Sequence, residues 1–476
     1  MSVTGILPGA PNPTAELLRL ADEHDQAGRL DEAQACLEQV LAQAPDDAHA
    51  THMMGVITYR KGRWDEGAKL MEHSLTLAPP RPLYLRNLCE VYRTLGRYDE
   101  ALEAGRKAVA GDPADPVAQV NLSVLHYERA EPAEAIACAE RALKGHPSLP
   151  GAHFGLAEAL LLTGEFERGW EEYEWRFKLA GVPALMPKAD TPQWDGRPLL
   201  DGRLLLIADQ GFGDCIQFSR YIPWAAERCR EVVVACSAEL RPLIGQLPGV
   251  ATMFDRWEAS PAADAYLPLS GLPRLHGSRL GTIPWPGPYL KADPARAGAW
   301  AVRLDALCAP GDRRIGLAWA GRPTHRNDRN RSMSLKALAP ITEVGGITFV
   351  SLQKGPPQAQ AGGYFGAAPL INLGPEIADF ADSLAIIERL DLVITVDTAV
   401  AHLAGAAGKP AWILLPHAND WRWLQDRDDT PWYPTARLFR QPADRRWDAV
   451  TERVAGALSE HFPSLPSSPG AGPGDP

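Results

Sequence analysis

No apolar run in the chain approaches the roughly 18 residues that a membrane-crossing helix needs, so no transmembrane segment is expected. Cysteine is sparse and scattered. The seven residues Cys36, Cys89, Cys138, Cys215, Cys229, Cys236 and Cys308 form no CxxC pair of the zinc-binding kind, and their odd number offers no disulfide framework. Reduced, buried thiols in a cytoplasmic protein are the expectation. Surplus positive charge is lacking as well. The formal net charge of −11 argues against nucleic acid as a main partner, because neutralising phosphates needs a basic footprint. Met1 to Pro13 lacks the basic start and apolar stretch of a secretory signal. No acidic cluster resembles a metal site. The run Asp426-Arg427-Asp428-Asp429 follows Trp421-Arg422-Trp423-Leu424 in a loop and reads as surface. Neither a metal nor any other cofactor is expected.

What is present is ample core material. Hydrophobic residues make up 45% and charged residues 22% of 476, enough for two to four domains. Only residues 463–476, Pro, Gly and Ser with almost no apolar content, read as a disordered tail.

A 34-residue period runs through the first third. Gly28, Gly62, Gly96, Ala130 and Gly164 keep it, as do Pro45, Pro79, Pro113 and Pro147. An apolar column (Leu20, Met54, Leu88, Leu122, Leu156) is followed each time by a small residue, Ala21, Gly55, Cys89, Ser123 or Ala157. A second small column is Ala33, Gly67, Ala101, Ala135 and Gly169. Two antiparallel helices per repeat approach closely only where side chains are small, and the apolar column fills the space between them. Acidic pairs such as Asp99-Glu100 suit the positive end of each second helix. This period resembles the tetratricopeptide repeat, with five units over 14–180. The resemblance implies a superhelix whose concave face grips a protein or peptide partner. His52, His73, His126, His146 and His153 are out of register with one another, so solvent or groove positions are expected rather than metal ligation. The last unit is unusually aromatic, and Trp170, Tyr173, Trp175 and Phe177 read as an interface onto the next domain.

After a Pro-rich linker over 181–200 the pattern changes. Short continuous apolar runs, Leu204 to Ala208, Val232 to Cys236, Ile315 to Ala320, Ile347 to Leu352, Leu392 to Val396 and Trp412 to Leu415, read as parallel strands covered on both faces. Helical segments are expected between them, over Asp214 to Arg230, Leu335 to Val344, Asp379 to Leu390 and Thr398 to Ala407. The fold class is therefore α + α/β: a solenoid, then two Rossmann-like halves over 201–282 and 312–462 joined by a linker at 283–311.

Three motifs carry the chemistry. Asp209-Gln210-Gly211-Phe212-Gly213-Asp214 follows the first strand and opens a helix. Gln210, Gly211 and Gly213 let a ligand approach the backbone, although GxGxxG is incomplete. Asp214 reads either as a general base or as a helix cap. The second motif is Asp397-Thr398-Ala399-Val400-Ala401-His402, where a strand ends and a helix starts at once, presenting free N–H groups as a diphosphate site with His402 one turn on. In the third, Arg326, Arg329 and Arg331 lie in a loop suited to offset a pyrophosphate charge, or else form a solvated basic loop.

Over roughly Arg203 to Arg440 these residues resemble the bacterial heptosyltransferase-like glycosyltransferases of GT-B fold (glycosyltransferase family 9-like). The resemblance implies Gly213-Asp214 as the base motif, Asp397, Thr398 and His402 as holders of the donor diphosphate, and Arg331 as a phosphate contact. The family's usual Gly is Ala399 here. The fusion of repeats to such a domain is similar to bacterial repeat-containing glycosyltransferases, some of which modify flagellin. The resemblance implies a metal-independent transferase that moves a sugar from a nucleotide-sugar donor to a hydroxyl of a protein acceptor. Two other readings are a transferase acting on a lipid-linked or surface glycan, and an adaptor whose transferase-like domain only binds.

Overall fold

The computed structural model describes residues 13–182, 191–325 and 327–462. Arg326, most of the first half of the linker and the tail lie outside the described residues. The chain divides into two compact units, Met1–Ala159 and Leu160–Pro476.

The first unit is built of helix pairs. They are α1 (Pro13–Gln26) with α2 (Leu30–Gln43), α3 (Ala48–Arg60) with α4 (Trp64–Leu77), α5 (Pro82–Leu95) with α6 (Tyr98–Gly111), and α7 (Pro116–Glu128) with α8 (Pro132–Gly145). Most of α9 (Pro150–Thr163) follows. Acidic residues open α2, α4 and α6, where they meet the positive helix end. Asp47 and Asp115 cap α3 and α7 by accepting bonds from first-turn backbone N–H groups.

Each pair turns through a left-handed residue. Gly28, Gly62, Gly96 and Gly164 have φ between +74° and +85°. The fourth turn places Ala130 at φ +60°, where the Cβ meets the backbone at a cost of about 1–2 kcal/mol. Ala130→Gly is therefore expected to stabilise the first unit by about 0.5–1 kcal/mol. The check is a higher urea midpoint at unchanged slope.

The small columns mark where backbones meet. A Cβ built on Gly67 would lie 2.8 Å from the Gly55 carbonyl oxygen. Two of the histidines are not in solvent: His52 and His126 are buried. His52 stacks on Tyr84 with ring centroids 3.9 Å apart and has an Nε2 contact with Asn87 at 3.0 Å. Burial holds its pKa down at about 3, so it stays neutral. Groove or solvent positions do not describe these two residues; they fill the space between helices.

The second unit begins with the end of α9 and with α10 (Phe166–Tyr173), then becomes α/β. Four strands form one parallel sheet: β1 (Leu199–Ile207), β2 (Cys229–Ala235), β3 (Val250–Phe254) and β4 (Ala265–Pro268). Six form another: β5 (Arg313–Ala318), β6 (Ile347–Ser351), β7 (Leu370–Asn372), β8 (Leu392–Val396), β9 (Ala411–Leu415) and β10 (Ala436–Arg440). The strand orders are β3-β2-β1-β4 and β10-β9-β8-β5-β6-β7. Every residue of β6, β8 and β9 is buried, as strands covered on both faces should be.

Some expected elements are shorter than the pattern implied. The helix expected from Asp214 to Arg230 is α11 (Phe212–Phe218), a 3-10 turn and a short helix with Pro223 in its first turn. The helix expected from Leu335 to Val344 breaks into a 3-10 turn and Ala339–Thr342, where Pro340 occupies the new start. A helix over Pro294–Leu307, capped by Asp293, lies within the 283–311 stretch between the two sheets.

Candidate functional site

In an open parallel sheet, ligands bind where the strand order reverses, at the carboxyl ends of the strands. In the first sheet the chain goes from β1 to β2 and β3 on one side, then returns to β4 on the other. In the second it leaves β5 for β6 and β7, then crosses back to β8. The loop after β1 and the first turn of α11 together carry Gln210 to Asp214. The loops after β5 and β8 carry Arg331 and Asp397-Thr398. All three motifs therefore sit at the two switch points.

The switch points face each other through α11 and the helix Ala399–Ala406. A Cβ on Gly213 would fall 2.6 Å from His402 Cδ2 and 3.5 Å from the Ala399 Cα, so only glycine permits this approach. Ala399 is the first residue of its helix and lies against that glycine. Thr398 is the N-cap, its hydroxyl accepting from Val400 N at 3.3 Å. Gly211 holds the equivalent position before α11.

Arg331 reaches across from the loop after β5 and donates from Nη1 to the Asp397 carbonyl at 3.0 Å. Its side chain is 14% exposed and also contacts Asp328. Gly321 makes the room: a Cβ there would lie 2.5 Å from Arg331 Nη2. Arg329, on the same short turn, is exposed where Arg331 is mostly covered. Gln353 fixes the start of the loop, its Oε1 accepting from Trp319 N and Ala320 N at 2.9 Å each.

The structure adds residues that the motifs did not single out. Arg422 lies on the 3-10 turn Trp421–Trp423 and is buried. It donates from Nη2 to Asp214 Oδ1, from Nη1 to Asp420 Oδ1 at 2.8 Å and from Nε to Gln217 Oε1 at 2.7 Å. Trp421, Arg422 and Trp423 are buried, whereas Asp426, Asp428 and Asp429 of the acidic run that follows are exposed, as expected of a surface run. The available signal was the Arg itself, set between two tryptophans and two residues after an aspartate.

Burial, partly offset by Arg422 and reinforced by Asp420, raises the Asp214 pKa above the ordinary carboxylate value. Asp397 is raised too, by burial and then by the negative charge of Asp420. His402 is pushed down to about 3 by burial and by Arg422. It is therefore neutral at physiological pH. Its Nδ1 lies 2.9 Å from the Tyr433 hydroxyl, and its ring stacks on Trp423. With the phenol donating to Nδ1, Nε2 carries the proton and can donate.

The aromatic end of the repeats braces this site. Trp170 and Tyr173 of α10 meet the Trp421 ring edge-on, at 5.3 and 6.0 Å. Trp170 Nε1 donates to the Ser278 carbonyl at 3.0 Å. Gln210 Nε2 donates to the Tyr173 hydroxyl at 2.9 Å, so α10 fixes the second residue of the motif that follows β1. A hollow of about 390 Å³ near Gly164 and Leu280 and another of about 30 Å³ near Leu205 and Trp257 contain none of the motif residues.

Comparison with known proteins gives the first region a family. The tetratricopeptide repeat model matches residues 18–82, 59–116 and 121–174. The chain is a tetratricopeptide-repeat-containing protein. Protein FlbA of Caulobacter vibrioides is 28% identical over 340 residues, covering 64% of this chain and 54% of that one. The chain therefore spans about half the length of this curated relative. That match is longer than the first compact unit, residues 1–159, so it extends beyond the repeats. Among solved structures, MamA 41-end from Desulfovibrio magneticus RS-1 is 17% identical, with a TM-score of 0.31, covering 34% of this chain and 93% of that one. YrrB, described as a TPR protein with an unusual peptide-binding site, is 17% identical with a TM-score of 0.29, covering 34% and 84%.

Proposed function

We propose that the protein is a GT-B glycosyltransferase that moves a sugar from a nucleotide-sugar donor to a hydroxyl of a protein acceptor, flagellin being one candidate class. The tetratricopeptide array supplies the protein-binding surface, the use to which such arrays are put. The observation that carries the reading is the meeting of two switch points, with Asp214 on one and the helix start capped by Thr398 on the other. Asp214 takes the acceptor proton. The positive end of the helix that Thr398 caps, the Arg331 guanidinium and neutral His402 offset charge on the departing diphosphate.

A second reading has one observation in its favour. Asp214 is engaged by Arg422, as it would be in a domain that binds without turning over. A thermal-shift panel of UDP-, GDP-, ADP- and CMP-sugars separates the readings from any without a nucleotide site. A donor at 100 times its Kd stabilises by about 2.7 kcal/mol, which should raise the melting temperature of the α/β unit by several degrees. No shift with any of the four rejects the nucleotide-sugar site. A shift without hydrolysis or transfer favours the adaptor.

A further inference from the structure

We infer that Asp420 is a positioning residue for Asp214: it balances the buried charge of Arg422, so that Arg422 can hold Asp214 in place without neutralising it. The inference rests on the glycosyltransferase reading only in taking Asp214 as the proton acceptor.

Three side chains, two from α11 and one from a loop of the second sheet, converge on one guanidinium. Asp214 and Gln217 come from α11, while Asp420 comes from the loop after β9. The Arg422 backbone N–H also donates to Asp420 Oδ1 at 3.0 Å. The guanidinium carbon lies 4.1 Å from the centre of the Trp421 ring, and the side chain is 7% exposed. One buried cation therefore faces two carboxylates, leaving one net negative charge.

That count decides what Asp214 can do. In a simple Arg–Asp pair, protonating the carboxylate would leave a buried cation without a counter-charge, which is strongly unfavourable. Here Arg422 keeps Asp420 as its partner when Asp214 takes up a proton. The two carboxylates also differ in the expected sense. Burial raises Asp214, while Asp420, although also raised by burial, is brought net below its ordinary value by Arg422. Two carboxylates pushed apart by their surroundings mark a division of labour between them.

A third carboxylate lies across the cleft: Asp397 is raised by burial and by Asp420, with Arg331 and Arg422 offsetting its charge. The remaining groups around Asp214 leave the count unchanged. Tyr173 from α10 is held neutral by burial, its pKa raised to about 12, and burial raises the Cys215 thiol as well. His402, across the cleft, is neutral. Asp209, in the loop before α11, has its own cation in Arg176 at 3.8 Å and accepts from Ser270.

In the reaction, the acceptor O–H bond breaks and its proton joins the Asp214 carboxylate. The electron pair stays on the acceptor oxygen, which bonds to the anomeric carbon. The bond from that carbon to the donor phosphate breaks, its pair leaving with the nucleotide. Asp214 then releases its proton to solvent. Throughout, Arg422 stays paired with Asp420.

The test compares Asp420→Asn with the unmutated protein, each with and without Asp214→Asn, by melting temperature against pH. A carboxylate raised on folding stabilises fully below its ordinary value of 3.8 and loses that contribution as pH rises through its folded value. The difference in melting temperature between the unmutated protein and Asp214→Asn should therefore decline above pH 3.8. In the Asp420→Asn background the midpoint of that decline should fall, corresponding to about tenfold lower proton affinity. Asp420→Ser serves if Asp420→Asn does not fold, and Asp420→Glu should restore the original midpoint. An unmoved midpoint in the neutral variants overturns the inference. The acidic limb of hydrolysis of UDP-, GDP-, ADP- or CMP-sugar is followed in parallel. A moved thermal midpoint with no turnover upholds the charge arrangement and rejects the transferase reading. Turnover with unmoved midpoint and limb does the reverse.

Discussion

Replacing Arg422 with alanine is expected to cost about 3–5 kcal/mol of stability, the scale for removing one partner from a buried ion pair. The loss would exceed that of an ordinary surface arginine because three acceptors are left at once. Asp214 and Asp420 would face each other without the cation between them, and Gln217 Oε1 would lose its donor. The guanidinium also covers the Trp421 ring, so its removal opens a gap in the aromatic layer. Urea unfolding followed by tryptophan fluorescence reads the loss directly. A cost below about 1 kcal/mol, the range of exposed pairs, would mean that the network is not formed in solution.

The second large effect concerns chemistry rather than stability. Asp214→Asn is expected to lower sugar transfer by about 100-fold to 10,000-fold, the contribution of a positioned general base. The amide keeps the shape of the side chain and can still accept from Arg422, but it cannot take a proton. Nucleotide affinity should change little, because the proposed phosphate contacts come from the loops after β5 and β8. Single-turnover assays with the donor identified by thermal shift give the rate, and calorimetry gives the affinity. Normal turnover would remove Asp214 from the role of base.

The repeat was legible because its physics is local. A left-handed turn at Gly28 or Gly96 and a close contact at Gly67 each write a residue type into the sequence at a fixed interval. The buried strands were legible for a similar reason: Leu392 to Val396 is apolar throughout because both faces are covered. The remaining strands, β3, β4, β7 and β10, are short or carry exposed positions, so no continuous apolar run announces them. In the cleft, the residues next to strand ends could be read from the strand-to-helix junctions. Arg422 and Asp420 could not. Their meaning depends on a contact with Asp214 some 200 residues earlier in the chain, and only the folded arrangement of both sheets supplies it.

The aromatic helix α10 has a consequence for how such proteins can diversify. Its Trp170 and Tyr173 are committed to Trp421 and Gln210, so this last helix behaves as part of the α/β body and not as an interchangeable repeat. Upstream of α9, each 34-residue unit is a module that duplication or deletion can add or remove in register. Lineages could therefore lengthen, shorten or exchange the array to suit new partners, while α10 stays with the α/β body. A chimaera joined before α10 keeps these aromatic contacts; one joined after it discards them.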